Sequence, residues 1–159
     1  MRKHLDDIGR KNRPDNDYGK GRLPRGSKPH LKEFGVIKAE TYDLDSTMSM
    51  LLYERLIEYK EAAKDFVDLE YRRYDFKGKA CTQSELIDLM IEDLYAALAD
   101  DYYMDSEEQK AEYRKIMDRV AGRLSVHSGD LDLQDLEAKD AAQQEAWEIW
   151  AKIQSSMWW

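Results

Sequence analysis

Apolar residues recur at three- and four-residue steps through three separate stretches of this chain, and that period commits most of it to helix. The first stretch follows Asp43 and Asp45, either of which can accept a bond from a free first-turn N–H. Met48, Leu52, Leu56, Tyr59, Ala63, Phe66 and Val67 then form one stripe, which predicts a helix to about Asp68. A second stripe (Leu86, Met90, Leu94, Ala97, Leu98) predicts a helix over 83–99. A third (Tyr113, Ile116, Met117, Val120, Leu124) predicts one over 107–124. After a loop at 125–132 comes a long final helix of two characters. Residues 136–146 are rich in Ala and Gln, whereas Trp147, Trp150, Ile153, Met157, Trp158 and Trp159 make the end strongly aromatic. Aromatic groups of this size dock on something, either the chain's own core or a partner.

Between the first two helices the pattern changes. Leu69, Tyr71, Tyr74 and Phe76 are strand formers, Lys77-Gly78-Lys79 reads as a tight turn, and Ala80-Cys81 returns, so a β-hairpin is expected near 69–81. Thr82-Gln83-Ser84-Glu85 has the form of a capping box: the Thr hydroxyl caps the N–H of Glu85 and the Glu carboxylate reaches back. Residues 1–35 show no sustained period and are punctuated by Pro14, Gly19, Gly21, Pro24, Gly26, Pro29 and Gly35. The expected architecture is mainly α: about four helices in a small bundle over 36–159, one short hairpin, and an extended basic N-terminal arm over 1–35.

Charge separates the arm from the body. Residues 1–32 carry ten Lys or Arg against four Asp, a net +6, whereas the whole chain carries −8, which leaves −14 on the remainder. Such an arm suits an acidic surface, either the chain's own or a second copy's. Nucleic acid is the less favoured partner, because a net-negative body repels phosphate. Arg10, Arg13, Arg22 and Arg25 are its candidate contact residues. A lone Cys81 permits no internal disulfide and points to a reducing, cytoplasmic setting. The first residues lack an apolar leader, and no run approaches 18 apolar residues, so neither a secretory signal nor a membrane span is expected.

Four carboxylates are the sharpest candidates for chemistry. Glu58-x-x-Glu61 is followed by Glu85-x-x-Asp88, and carboxylates on two facing helices can hold Mg²⁺. The spacing resembles the metal motif of the all-α nucleoside triphosphate pyrophosphatases. Helical phase opposes that reading: each pair points away from its own apolar stripe, which places the pairs on opposite solvated surfaces. The remaining patterns offer less. His4, His30 and His127 have no zinc spacing, and no G-x-S-x-G elbow, P-loop or dinucleotide fingerprint is present. The acids at 100–108 lack the alternation and central Gly of an EF-hand, and capping accounts for Asp105 and Glu108. Two features favour binding over catalysis. Nine tyrosines from Tyr42 to Tyr113 cannot all be buried, and Tyr is a preferred contact residue. Acids also cluster at 100–108 and 130–137; imitation of a phosphate backbone ranks low for a chain of only −8.

Phe34-Gly35, Glu40-Thr41-Tyr42, Leu44-Asp45, Thr47-Met48 and Arg55-Leu56, with the Met157-Trp158-Trp159 ending, resemble a pattern in small proteins of tailed bacteriophages. The resemblance covers about 25 residues plus the C-terminus and carries over no functional residue. It implies a short accessory protein that binds a host or phage macromolecule or a small nucleotide. Locally, Thr41 and Asp45 are expected to cap the first helix, with Tyr42 and Leu44 stapling its start onto the core.

Three functional expectations follow. The first is a non-enzymatic accessory protein that needs no cofactor. It would bind a protein partner or a second copy of itself through the arm, Tyr102, Tyr103, Trp158 and Trp159, and inhibit a host defence or metabolic factor. The second is a Mg²⁺-dependent hydrolase using Glu58, Glu61, Glu85 and Asp88. The third is a sequestering binder of a small nucleotide, with Arg72, Arg73 and the lysines of the hairpin turn as its basic groups.

Overall fold

A computed structural model describes residues 44–65 and 68–157. Along these, α1 (Leu44–Ala63) is followed by β1 (Arg73–Phe76), β2 (Lys79–Thr82), α2 (Gln83–Leu98), α3 (Glu107–Arg123) and α4 (Leu131–Ile153). Single 3₁₀ turns stand at Asp101–Tyr103 and Gln154–Ser156. The mainly α fold with one hairpin is the one the stripes predict. The arm, with Arg10, Arg13, Arg22 and Arg25, lies outside the described residues, as do Phe66, Val67, Trp158 and Trp159.

Helix α2 is the centre of the bundle. Leu86, Ile87, Met90, Leu94 and Ala96 are fully enclosed, and α1, α3 and α4 all pack against it. Ion pairs give the directions. Lys60, late in α1, meets Asp88, early in α2, so these two helices run oppositely. Arg119 of α3 pairs with Glu92, and the short link 99–106 turns α3 back along α2. Arg114–Asp135 and Arg123–Glu145 advance together along α3 and α4, so those helices share a direction. Thus α1 and α4 both run against α2, and their relative register is marked by Gln143 donating to the Ser49 hydroxyl at 3.0 Å.

The Ala-rich half of α4, which has few large groups to bury, has a packing explanation. Ala138, Ala142 and Ala146 recur every fourth residue on one face and are all fully buried. With only methyl groups on that face, α4 lies close along α2. Ile149 and Ile153 extend the same contact, and Trp147 and Trp150 pack against the core from its edge.

The hairpin is a two-residue turn with Lys77 at φ 53° and Gly78 at φ 76°, both in the left-handed region. That is the twist two antiparallel strands need, and glycine adopts it without penalty. Arg73 pairs with Thr82 and Phe76 with Lys79. Thr82 closes β2 and caps α2 at once: its hydroxyl accepts from the Glu85 N–H, and the Glu85 carboxylate accepts from the Thr82 N–H at 2.8 Å. The strand therefore runs into the helix with no linker.

Several boundaries differ from the sequence expectation. Helix α1 ends at Ala63 rather than near Asp68. Its inner face is centred on Ser49, Tyr53 and Leu56, so Met48, about 100° away, is exposed. Asp45 lies inside the first turn, where its charge suits the helix dipole, rather than at the cap. Leu69 and Tyr71 belong to the turn before β1, with Leu69 buried and Tyr71 exposed. Ser106, not Asp105, caps α3, its hydroxyl accepting from the Gln109 N–H at 3.1 Å. Helix α4 starts five residues before Leu136, where the Asp130 carboxylate accepts from the N–H groups of Asp132 and Leu133.

Candidate interaction surface and the buried charge network

The link between α2 and α3 is short and tightly specified. Met104 is buried and anchors it, while its N–H bonds the Asp101 carbonyl at 3.0 Å. The Asp100 carboxylate accepts from the Tyr102 N–H at 2.9 Å and so sets the 3₁₀ turn. This leaves the Tyr102 side chain 84% exposed at the tip. Tyr103 completes the turn; its side chain lies outside the described atoms. Residues 99–108 contain Asp100, Asp101, Asp105, Glu107 and Glu108 and no Lys or Arg.

The start of α4 stands at the same end of the bundle and adds Asp130, Asp132, Asp135 and Glu137. Tyr113 records the convergence. Burial raises its hydroxyl pKa first, and the charges of Asp135, Asp101 and Asp100 raise it further against the pull of Arg114. Among the described residues, two cations at this end are committed to carboxylates. Arg114 forks onto Asp135 at 2.8 and 2.9 Å, which raises its own pKa, and Lys110 pairs with Glu107 at 3.2 Å. Lys139 stands over the Tyr113 ring. The end therefore presents a surplus of acid around an exposed tyrosine.

The four carboxylates proposed for Mg²⁺ are not brought together. Glu85 serves the capping box, Glu61 pairs with Lys64 at 2.6 Å, and Asp88 accepts from Lys60. Glu58 is exposed on α1. Asp88 thus lies on the α1–α2 seam rather than on an outer surface opposite α1. Among the described residues, no group of three or more His, Cys, Asp or Glu is placed to hold a metal ion. The basic candidates are dispersed as well. Arg72 donates to the Ser156 carbonyl at 3.3 Å, next to the Tyr74–Ser156 hydroxyl contact, and Lys77 is bound to Glu145. Arg73 is exposed on β1. An open groove of about 500 Å³ runs between Lys60, Lys64 and Ser84, but Asp65, Asp68 and Glu70 share it.

The chemically unusual group is one the sequence reading did not single out. Asp93 of α2 is 0% exposed, and Glu145 of α4 is 3% exposed. Arg123, at the end of α3, bonds both carboxylates, and Lys77 from the hairpin turn bonds Glu145 a second time. One cation from each of two elements thus ties α2, α3, α4 and the hairpin into a single network. The Asp93 Oδ2 atom makes no hydrogen bond. Burial outweighs the attraction of Arg123 and Lys77, Glu92 adds repulsion, and the Asp93 pKa is pushed up to about 7.

A pH signature follows from the sign of that shift. The ordinary value is 3.8, so between about pH 4 and about pH 7 the folded chain holds a proton that the unfolded chain has released. Stability contributed by protonated Asp93 is therefore lost as pH rises through this window, the reverse of a salt-bridged carboxylate with a depressed pKa. Comparing thermal midpoints of the native chain and Asp93→Asn from about pH 4.5 to about pH 8 isolates this group from the other acids. The native midpoint is expected to fall relative to the variant's; parallel profiles would show that Asp93 keeps an ordinary pKa.

Among the described residues, no helix is long and apolar enough to cross a membrane. No family model matches the chain, and neither the curated proteins nor the solved structures give a match.

Proposed function

We propose that the chain is a non-catalytic binding protein, of the accessory kind implied by its resemblance to small bacteriophage proteins, and that it engages a basic protein surface through the Tyr102 loop. The observation carrying this reading is the exposure of Tyr102 on a turn held by Asp100 and the buried Met104, inside a stretch with five acids and no cation. A fixed turn loses little entropy when it is covered, and tyrosine gives a large contact area for two side-chain torsions. The surrounding carboxylates favour a cationic partner and speed its approach.

A photo-crosslinking amino acid at position 102, introduced into the full chain in cells, tests the reading. A discrete adduct is expected from position 102 and none from Gln144, an exposed position well along α4. Adduct formation should fall when Asp100, Asp101 and Asp105 are replaced by Asn. Equal labelling from both positions, or none from 102, counts against the loop as the contact.

A further inference from the structure

The network of Asp93, Glu145, Arg123 and Lys77 balances two carboxylates against two cations, but its members are not equally held. The carboxylates are enclosed, the Arg123 side chain is 27% exposed, and that of Lys77 is 56% exposed. Asp93, Arg123 and Glu145 stand on helices of the bundle, whereas Lys77 sits in the left-handed turn of the hairpin. The base of that ribbon is fixed separately, by the Tyr74–Ser156 and Arg72–Ser156 contacts and by the Thr82 cap. Its tip reaches α4 through Lys77, and the exposed Asp75 of the same turn accepts from the Gly78 N–H at 3.3 Å.

Asp93 sets the charge balance. Helix α3 brings Arg123 to it, α4 brings Glu145 onto the same guanidinium, and the hairpin brings Lys77. Glu92 of its own helix, paired with Arg119, adds repulsion. Helix α1 contributes Lys60, but on Asp88, roughly 140° around α2 from Asp93. The Arg123 bond occupies Asp93 Oδ1 while Oδ2 makes no hydrogen bond, so a proton has an oxygen to occupy. Once it is there, one carboxylate faces two cations in an enclosed site, and the surplus charge leaves most readily through the group already in water. Linkage gives the same result: Lys77 favours ionised Asp93, so neutral Asp93 holds Lys77 less well. We propose that the network is a proton-operated latch: uptake of one proton by Asp93 frees Lys77 from Glu145 and loosens the hairpin tip, while Arg123 keeps α2, α3 and α4 together. The latch stands apart from the Tyr102 reading, because the hairpin joins the opposite end of α2.

Amide hydrogen exchange on the full chain at about pH 8 and about pH 5.5, either side of the Asp93 pKa of about 7, tests it. Protection factors, corrected for the intrinsic effect of pH, should fall about threefold or more over residues 76–80 on the acid side. The α2 amides should lose none, because protonated Asp93 adds to global stability in this range; the tip loosens while the fold tightens. Asp93→Asn should hold the tip at its lower, acid-side protection at both pH values. Lys77→Met should do the same with both acids intact. Every other titratable group, His127 included, is still present in Asp93→Asn. Tip protection that does not change with pH in the native chain overturns the proposal. So does a pH response that persists in Asp93→Asn, which places the proton elsewhere, or in Lys77→Met, which shows the tip responding without the latch.

Discussion

Replacing Arg123 with Met lowers the unfolding free energy by about 3–5 kcal/mol, measured by urea denaturation near pH 8, because it leaves buried carboxylates without their shared cation. Asp93, at zero exposure, then loses the cation it bonds and keeps only the weaker attraction of Lys77, and Glu145 keeps only Lys77, whose side chain is more than half exposed. The cost is set by uncompensated charge rather than by the worth of two ion pairs, which nearly cancels against desolvation. The double variant Arg123→Met/Asp93→Leu should therefore be more stable than Arg123→Met alone, since it removes the stranded acid along with its partner. A double variant no better than the single one would place the loss elsewhere, in the packing of the Arg stem. Lowering the pH should also soften the single variant's defect, because Asp93 can then take up a proton.

Ala142→Leu probes the other unusual contact, the close approach of α4 to α2. Ala142 is fully buried in the middle of the small-residue face, so three added carbons have no free volume to enter. The helices must separate or side chains must leave their preferred rotamers, at about 1–3 kcal/mol. The same change at Ala151, exposed on α4, should alter stability by no more than about 0.5 kcal/mol. Equal effects at the two sites would show that the seam is slack and that the alanines are not there for proximity.

Local chemistry explains which parts of this fold could be read from the chain. The Thr82–Glu85 capping box, the Lys77-Gly78 turn and the stripe of α3 depend on residues a few positions apart, and each occurs as its pattern implies. The start of α4 is not legible in the same way, because Leu131, Leu133 and Leu136 are off the core face and carry no inward period. The stripe puts Met48 one residue out of helical phase, a difference of about 100° that the position of Ser49 against α4 decides. The charge network left a partial trace. Asp93 falls seven residues after Leu86 and three after Met90, directly on the apolar stripe, and Glu145 falls between Ala142 and Ala146. A charge in such phase signals burial, but the partners come from distant elements: Arg123 is 30 residues from Asp93, and Lys77 is 68 residues from Glu145. Pairings at that distance are fixed by helix packing, and the same holds for the Lys60–Asp88 pair that took one of the supposed metal ligands.

Thr82 being both the last residue of β2 and the cap of α2 makes the hairpin a lever. A two-stranded ribbon has little stability of its own, so this one keeps its shape by being rigidly continuous with the central helix and latched through Lys77. There is no slack between the exposed tip and the first turn of α2. A force or contact applied at Gly78 cannot be absorbed by a loop; it either turns the ribbon and α2 as one body or breaks the Thr82 cap, so the tip is mechanically wired to the core.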